Sequence, residues 1–330
     1  MRVVSQYVST SFNAGPKAKI DVEKVLKKNF NARIMTNHVN DRNNIMTKIK
    51  KALFYLTAMC TKDLVVIQFP FTDSQKVLDL AQNKVVLIHD IEGLRHLKQS
   101  KLAQEISMLD SFSGIIAHNS IMKKFLVEQG INANKIYVLE LFDYLCEDNV
   151  KLRNQKFVPS SLNLIYTGNL DKAPFLRQLN ENEIHFIINV YGILSTPLEN
   201  KRIIYKGSFP PDELPLKLEG DLGLVWDGNL DSSDENAGYK NYTRYNNPHK
   251  LSCYIASNLP VIVWKQSAIA DFVKKQNIGY VVDDLYQIND LDFSDYQEKK
   301  SNVVKLGEKV RNGFFTKKVF KDLLNENLGE

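Results

Sequence analysis

Short aliphatic and β-branched runs alternate along the chain with stretches in which apolar residues recur every three or four positions. This is the pattern of βαβ units stacked around a parallel sheet. Met1 to Val8 is the first run. A Gly15-Pro16 turn follows, and from Lys17 to Phe30 the residues Ala18, Val22, Val25, Leu26 and Phe30 share one helical face. Strands are predicted over Ala32 to Thr36, Leu64 to Phe69, Val85 to Ile88, Gly114 to Ala117 and Ile136 to Leu139, with helices over 44–60, 98–109 and 120–129. Together these describe one doubly wound domain.

Between Glu147 and Ser161 the chain turns polar and ends in Pro159-Ser160-Ser161, the composition of a connection. A second series then begins, with strands predicted over Leu162 to Tyr166, His185 to Tyr191, Ile203 to Tyr205, Leu222 to Trp226, Val261 to Trp264 and Tyr280 to Val282, and helices including 248–257 and 267–275. The prediction is an α/β protein with two tandem Rossmann-like domains, 1–155 and 156–312. A helix in the tail 313–330, over Lys317 to Leu328, packs back on the first. In such sheets ligands bind at the C-terminal ends of the strands, here in the cleft between the two halves. Periplasmic binding proteins and epimerases also pair two such halves, so the fold leaves the reaction open.

Composition narrows the classes. With 44% hydrophobic and 25% charged residues in 330, the chain suits two folded cores and no long disordered arm. The 43 basic residues are interspersed with 38 acidic ones, a net charge of +5, which suits phosphate-rich ligands or an anionic membrane face and is too weak for nucleic acid. Met1 to Ser5 has no signal-peptide pattern, and no apolar run of about 18 residues occurs. Cys60, Cys146 and Cys253 lie far apart with no C-x-x-C spacing, so a reducing, cytoplasmic setting without structural zinc is expected. Ile45, Ile49, Leu53, Leu56 and Cys60 form a stripe beside Lys48, Lys50 and Lys51, which burial against the sheet explains and a peripheral contact with the inner face of the membrane would also use.

The segment Tyr245 to Val263 carries the clearest chemistry. Pro248 suits the first turn of a helix, whose free N–H groups and partial positive charge bind phosphate. Lys250, three positions after Asn247, adds a full charge at that end, and Tyr254 with Ile255 faces the core beneath. Where no metal is present, the charge on a departing diphosphate must be met by such fixed dipoles and basic side chains.

Asn246-Asn247-Pro248-His249-Lys250, followed by a small-residue helix and Leu259-Pro260-Val261-Ile262, resembles the donor-diphosphate helix of GT-B glycosyltransferases. With Gly168-Asn169-Leu170, Gly207-Ser208-Phe209, Gly223 to Gly228, Ala270-Asp271-Phe272 and Ile278-Gly279-Tyr280, it resembles the bacterial β-1,6-galactofuranosyltransferases of polysaccharide gene clusters. Ala14-Gly15, Leu87 to Ile91, His118-Asn119 and Phe142 to Leu145 extend the likeness over nearly the whole chain. A more distant similarity, which includes Pro211-Asp212-Glu213, runs to the glucosyltransferases that extend O-linked GlcNAc on serine-rich adhesins.

The resemblance implies a GT-B enzyme that moves a hexose from a UDP-sugar to a glycan acceptor, lipid-linked or protein-linked. Galactofuranose is the first choice of sugar and glucose the alternative. A silent GT-B homologue acting as a sugar-binding or chaperone subunit is the competing class, and a homo-oligomer is left open. On the donor side it implies Gly168, Asn169, Asn247, His249 and Lys250, with Phe209 for the base, Asp227 for sugar hydroxyls and Asp271 for the ribose. No E-x7-E pattern occurs there, which fits inversion and a single general base from the first domain. Asp90 is the first choice for that base and Glu92 the second, with His89 orienting either. Arg95 guides the acceptor or binds phosphate, and His118 and Asn119 line the cleft. Asn13, Gly15, Lys17 and Lys19, read as the loop after the first strand, face the acceptor or close on the donor. Asp290-Leu291-Asp292 reads as surface, and no metal or other cofactor is expected.

Overall fold

The computed structural model describes residues 1–7, 15–38, 64–71, 83–146, 157–230 and 241–327. The chain forms two compact units, Met1–Phe142 with Gly313–Glu330, and Asp143–Asn312. Each is built on a six-stranded sheet.

In the first unit the strands are β1 (Arg2–Tyr7), β2 (Arg33–His38), β3 (Val65–Phe69), β4 (Lys84–Ile88), β5 (Gly114–Ala117) and β6 (Ile136–Val138). They pair in parallel in the order β2-β1-β3-β4-β5-β6. Every residue of β3 and β5 is buried, as expected of strands covered on both faces. The order reverses between β1 and β3, which opens a crevice at the C-terminal ends of those strands. The Gly15–Phe30 helix buries Val22, Val25 and Leu26. The Phe314–Asn327 helix packs on it and on β6, setting Phe320 6.3 Å from Phe30 and giving Glu326 a hydrogen bond from the Tyr137 hydroxyl.

The second unit has β7 (Asn163–Thr167), β8 (Ile187–Tyr191), β9 (Ile203–Tyr205), β10 (Leu222–Val225), β11 (Val261–Trp264) and β12 (Gly279–Val282). All pair in parallel, in the order β12-β11-β10-β7-β8-β9. The order reverses between β7 and β10. Leu164, Val190, Leu224, Ile262, Phe175 and Trp226 belong to its core.

One sequence expectation needs correction. Lys17 and Lys19 lie inside the Gly15–Phe30 helix, and both are buried; Lys17 pairs with Asp21 at 2.7 Å. Pro16 falls in the first turn, where its missing N–H costs nothing, so the helix starts earlier than the apolar spacing indicates. Apolar spacing does not predict the Tyr296–Arg311 helix, because its buried stripe of Val303, Leu306 and Val310 is sparse in a strongly polar segment. It packs against the His249–Ala256 helix. The helix predicted over 44–60 lies outside the described residues.

Candidate active site

The reversal between β7 and β10 gathers the donor-side candidates of the second unit. Gly168 and Asn169 follow β7, Asp227 follows β10, and the His249–Ala256 helix connects β10 to β11. Pro248 holds the N-cap position with extended backbone (φ −64°, ψ 130°) and offers no side-chain cap. The inner face of this helix is wholly buried from Leu251 to Ala256. Tyr254 fastens it to the sheet: its hydroxyl accepts the Thr167 N–H at 2.8 Å and donates to the Leu224 carbonyl at 3.3 Å, bridging β7 and β10 where the order reverses. Only glycine at 223 permits this, since a Cβ there would sit 2.3 Å from the Tyr254 ring.

Lys250, on the first turn, turns inward. Its ammonium donates to the Tyr166 hydroxyl at 3.1 Å, the Trp226 carbonyl at 2.9 Å and the Asp227 carboxylate at 2.8 Å, and lies 4.3 Å from the Tyr166 ring centre. Burial raises the Tyr166 phenol well above its ordinary pKa, with the Asp227 charge adding to the effect, so it stays protonated. Asn247 is buried, and His249 stacks on Tyr144 at 4.9 Å.

The turn after β7 is held from below. The Gly168 N–H donates to the Tyr191 carbonyl, and Gly192 lies so close that a Cβ would come within 1.8 Å of the Gly168 oxygen. Gly168 and Asn169 are exposed; the Asn169 side chain accepts the Asp171 N–H at 3.1 Å. Phe209 is half-buried, 6.3 Å from Tyr191. Asp271 stands exposed in the first turn of the Ala270–Gln276 helix. Between the ends of β10 and β11 is a pocket lined by Trp226, Asp227, Thr243, Pro248, Trp264 and Ser267 among others. Sequence reading did not single out Thr243, Trp264 or Ser267, and only the adjacency of the two strand ends brings them together. Asp292 accepts the Ser294 N–H and hydroxyl on the surface, and among the described residues no three His, Cys, Asp or Glu side chains are grouped to hold a metal ion.

In the first unit, the turn after β4 carries His89 and Asp90, and Glu92 opens the short Glu92–Arg95 helix that follows. His89 Nε2 lies 2.8 Å from Gln68 Oε1. The Gln68 amide nitrogen donates to the Lys19 carbonyl, which can only accept, so the Gln68 oxygen faces His89 and the imidazole proton belongs on Nε2. Arg95 pairs with Asp90 at 2.6 Å and fixes its orientation. Glu92 points to Lys101 at 2.8 Å, and the hydrogen bond from Lys101 holds its pKa below the usual range. Lys19 donates to the Pro70 carbonyl at 3.1 Å, and burial pushes its ammonium down to about 8.

His118 is fully buried, contacts the Ile88 carbonyl through Nε2 at 3.0 Å and is pushed down to about 4 by burial. Asn119 is the N-cap of the Ser120–Glu128 helix and accepts the Met122 N–H at 2.8 Å. Both thus have local structural work, which a contiguous His-Asn pair in a sequence does not reveal. Gly15 opens its helix, and Asn13 lies outside the described residues.

Residues 1–141 match the N-terminal domain, and 164–323 the C-terminal domain, of the glucosyltransferase 3-like family. The β-1,6-galactofuranosyltransferase WbbI of Escherichia coli (strain K12) is 28% identical over 299 residues, covering 86% of this chain and 85% of its own. Glucosyltransferase 3 of Streptococcus gordonii is 27% identical over 290 residues, covering 81% and 80%. Among solved structures, the lipopolysaccharide outer core galactosyltransferase WaaB aligns with a TM-score of 0.61 at 12% identity over 99% of this chain and 100% of its own. Anabaena HepE in complex with UDP and glucose aligns with a TM-score of 0.61 at 15% identity, covering 100% of each chain. Two parallel sheets with paired strand-order reversals, and a match to both domains of one family, lead to one assignment: the chain belongs to the glucosyltransferase 3-like family, glycosyltransferases of GT-B fold.

Proposed function

We propose that this protein is an inverting hexosyltransferase that takes a hexose from a UDP-sugar and joins it to a hydroxyl of a glycan precursor, without a metal ion, in the cytoplasm. The observation that carries the reading is the Lys250 ammonium at the start of the His249–Ala256 helix, beside the β7–β10 reversal. A helix N-terminus and a lysine there offer the diphosphate a fixed positive field. That field is worth most as the C1–oxygen bond of the donor breaks and UDP departs with the electron pair. The acceptor oxygen forms the new bond to C1 from the opposite face, and its proton passes to a carboxylate of the segment that follows β4. Asp90 is the first choice for that carboxylate and Glu92 the second; each is ion-paired, Asp90 with Arg95 at 2.6 Å and Glu92 with Lys101 at 2.8 Å, and Asp90 is the less exposed of the two.

The WbbI relative favours galactofuranose, and the Streptococcus relative at nearly equal identity favours glucose as the second reading. A silent sugar-binding subunit is disfavoured, since both Lys250 and Asp90 are in place. The deciding experiment is UDP release with a panel of UDP-sugars and a disaccharide or lipid-linked acceptor, with and without EDTA. Turnover with UDP-galactofuranose or UDP-glucose that survives EDTA supports the proposal. Turnover abolished by the chelator and restored by a divalent ion refutes metal independence, and no turnover with any donor refutes the enzyme.

A further inference from the structure

The Lys250 ammonium is saturated by the protein itself. It has three N–H donors, and they meet the Tyr166 hydroxyl, the Trp226 carbonyl and Asp227 Oδ1 at 3.1, 2.9 and 2.8 Å. A diphosphate reaches this lysine by displacing one of them. Tyr166 and the Trp226 carbonyl are neutral and belong to the core. Asp227 is the anionic partner, and its side chain is 29% exposed against 12% for Lys250, so it is the group able to swing away.

We propose that Asp227 makes the donor site discriminate an intact UDP-sugar from UDP. The inference rests on the donor reading above and adds a role for the carboxylate that sugar contact alone does not supply. When a UDP-sugar enters, its diphosphate takes the Lys250 ammonium and its sugar hydroxyls take the Asp227 carboxylate, so both charges remain compensated. UDP has no sugar hydroxyls to offer, and its terminal phosphate ionises further than the sugar ester does. A carboxylate stripped of its lysine then stands beside additional negative charge, an arrangement that costs free energy. Asp227 therefore competes with UDP for Lys250 once the sugar has been transferred, and favours product release.

The test is titration calorimetry with UDP and with the UDP-hexose turned over in the donor panel. In Asp227→Asn, UDP is expected to bind about five-fold tighter, the scale of one partly exposed ion pair. The preference for UDP-sugar over UDP falls by at least the same factor, and product inhibition by UDP strengthens in step. Asp227→Ala reads the same way and covers misfolding of the asparagine variant; circular dichroism checks both. UDP affinity that is unchanged or weaker in both variants overturns the inference. Lys250→Met separates the two levels: if it abolishes UDP binding while the Asp227 variants show no tightening, the inference fails and the donor reading stands. If Lys250→Met leaves UDP binding intact, the donor reading fails and takes the inference with it.

Discussion

The lysine that the sequence places as a charge at a helix start is bonded to three protein partners beneath that first turn, and those bonds set the expectations for single residues. Lys250→Met keeps the stem and removes the charge, so kcat/KM is expected to fall about 100- to 1000-fold with the fold intact by circular dichroism. Asp90→Asn is expected to lower kcat by about 100-fold or more, whereas Glu92→Gln stays within a few-fold of native; the reverse order would move the base to Glu92. His118 supplies a pH test independent of catalysis. Its folded pKa of about 4 lies below the ordinary value near 6.5. The folded state therefore favours the neutral ring, and this contribution is complete above pH about 6.5 and lost as pH falls through about 4. The loss amounts to about 3 kcal/mol. Thermal melts from pH 7 to pH 4 should show a steep acid decline in the native protein and a shallower one in His118→Gln; equal slopes would contradict the assignment.

The same dependence on surroundings governs the secondary-structure elements. Strand β11 is a continuous apolar run in the sequence, and β3, β4 and β8 are apolar apart from Gln68, Lys84 and Asn189, because sheets covered on both faces need such runs; they form where that pattern places them. The Tyr296–Arg311 helix is not legible in the sequence, because Lys299 and Gly307 interrupt a buried face whose apolar members are only Tyr296, Val303, Leu306 and Val310. Nor does a glycine inside a strand announce what approaches it. At Gly223 the neighbour is the Tyr254 ring, so Gly223→Ala is expected to cost about 3 kcal/mol in urea unfolding and to weaken UDP binding, because the helix that carries Lys250 is anchored through that tyrosine. The Asn119 cap predicts a smaller effect: Asn119→Ala should cost about 1 kcal/mol, with donor and acceptor KM values unchanged if its role is confined to the helix end.

For the molecule as a whole, the second unit is continuous in sequence and the first is closed by the end of the chain. Phe315, Val319, Phe320 and Leu323 are buried in that closing helix. At about 1.5–3 kcal/mol for each large apolar side chain, losing it removes stability comparable to that of an entire domain. A chain ending at Asn312 should therefore lose the first unit's cooperative transition in calorimetry while the second unit's survives. By itself the sequence determined the repeating strand and helix periods, the absence of a zinc-like cysteine pattern and the Asn-Pro-His-Lys helix start, because these depend on neighbours a few positions apart. The tertiary structure alone decided that Lys250 meets residues 84 and 23 positions away, that Glu92 turns to Lys101, and that His118 is sealed in the core. The Lys250 contacts follow from the order in which strands pair, and that order is a property of the assembled sheet rather than of any local run of residues, whereas the Glu92 pair follows from how two consecutive helices fold on each other.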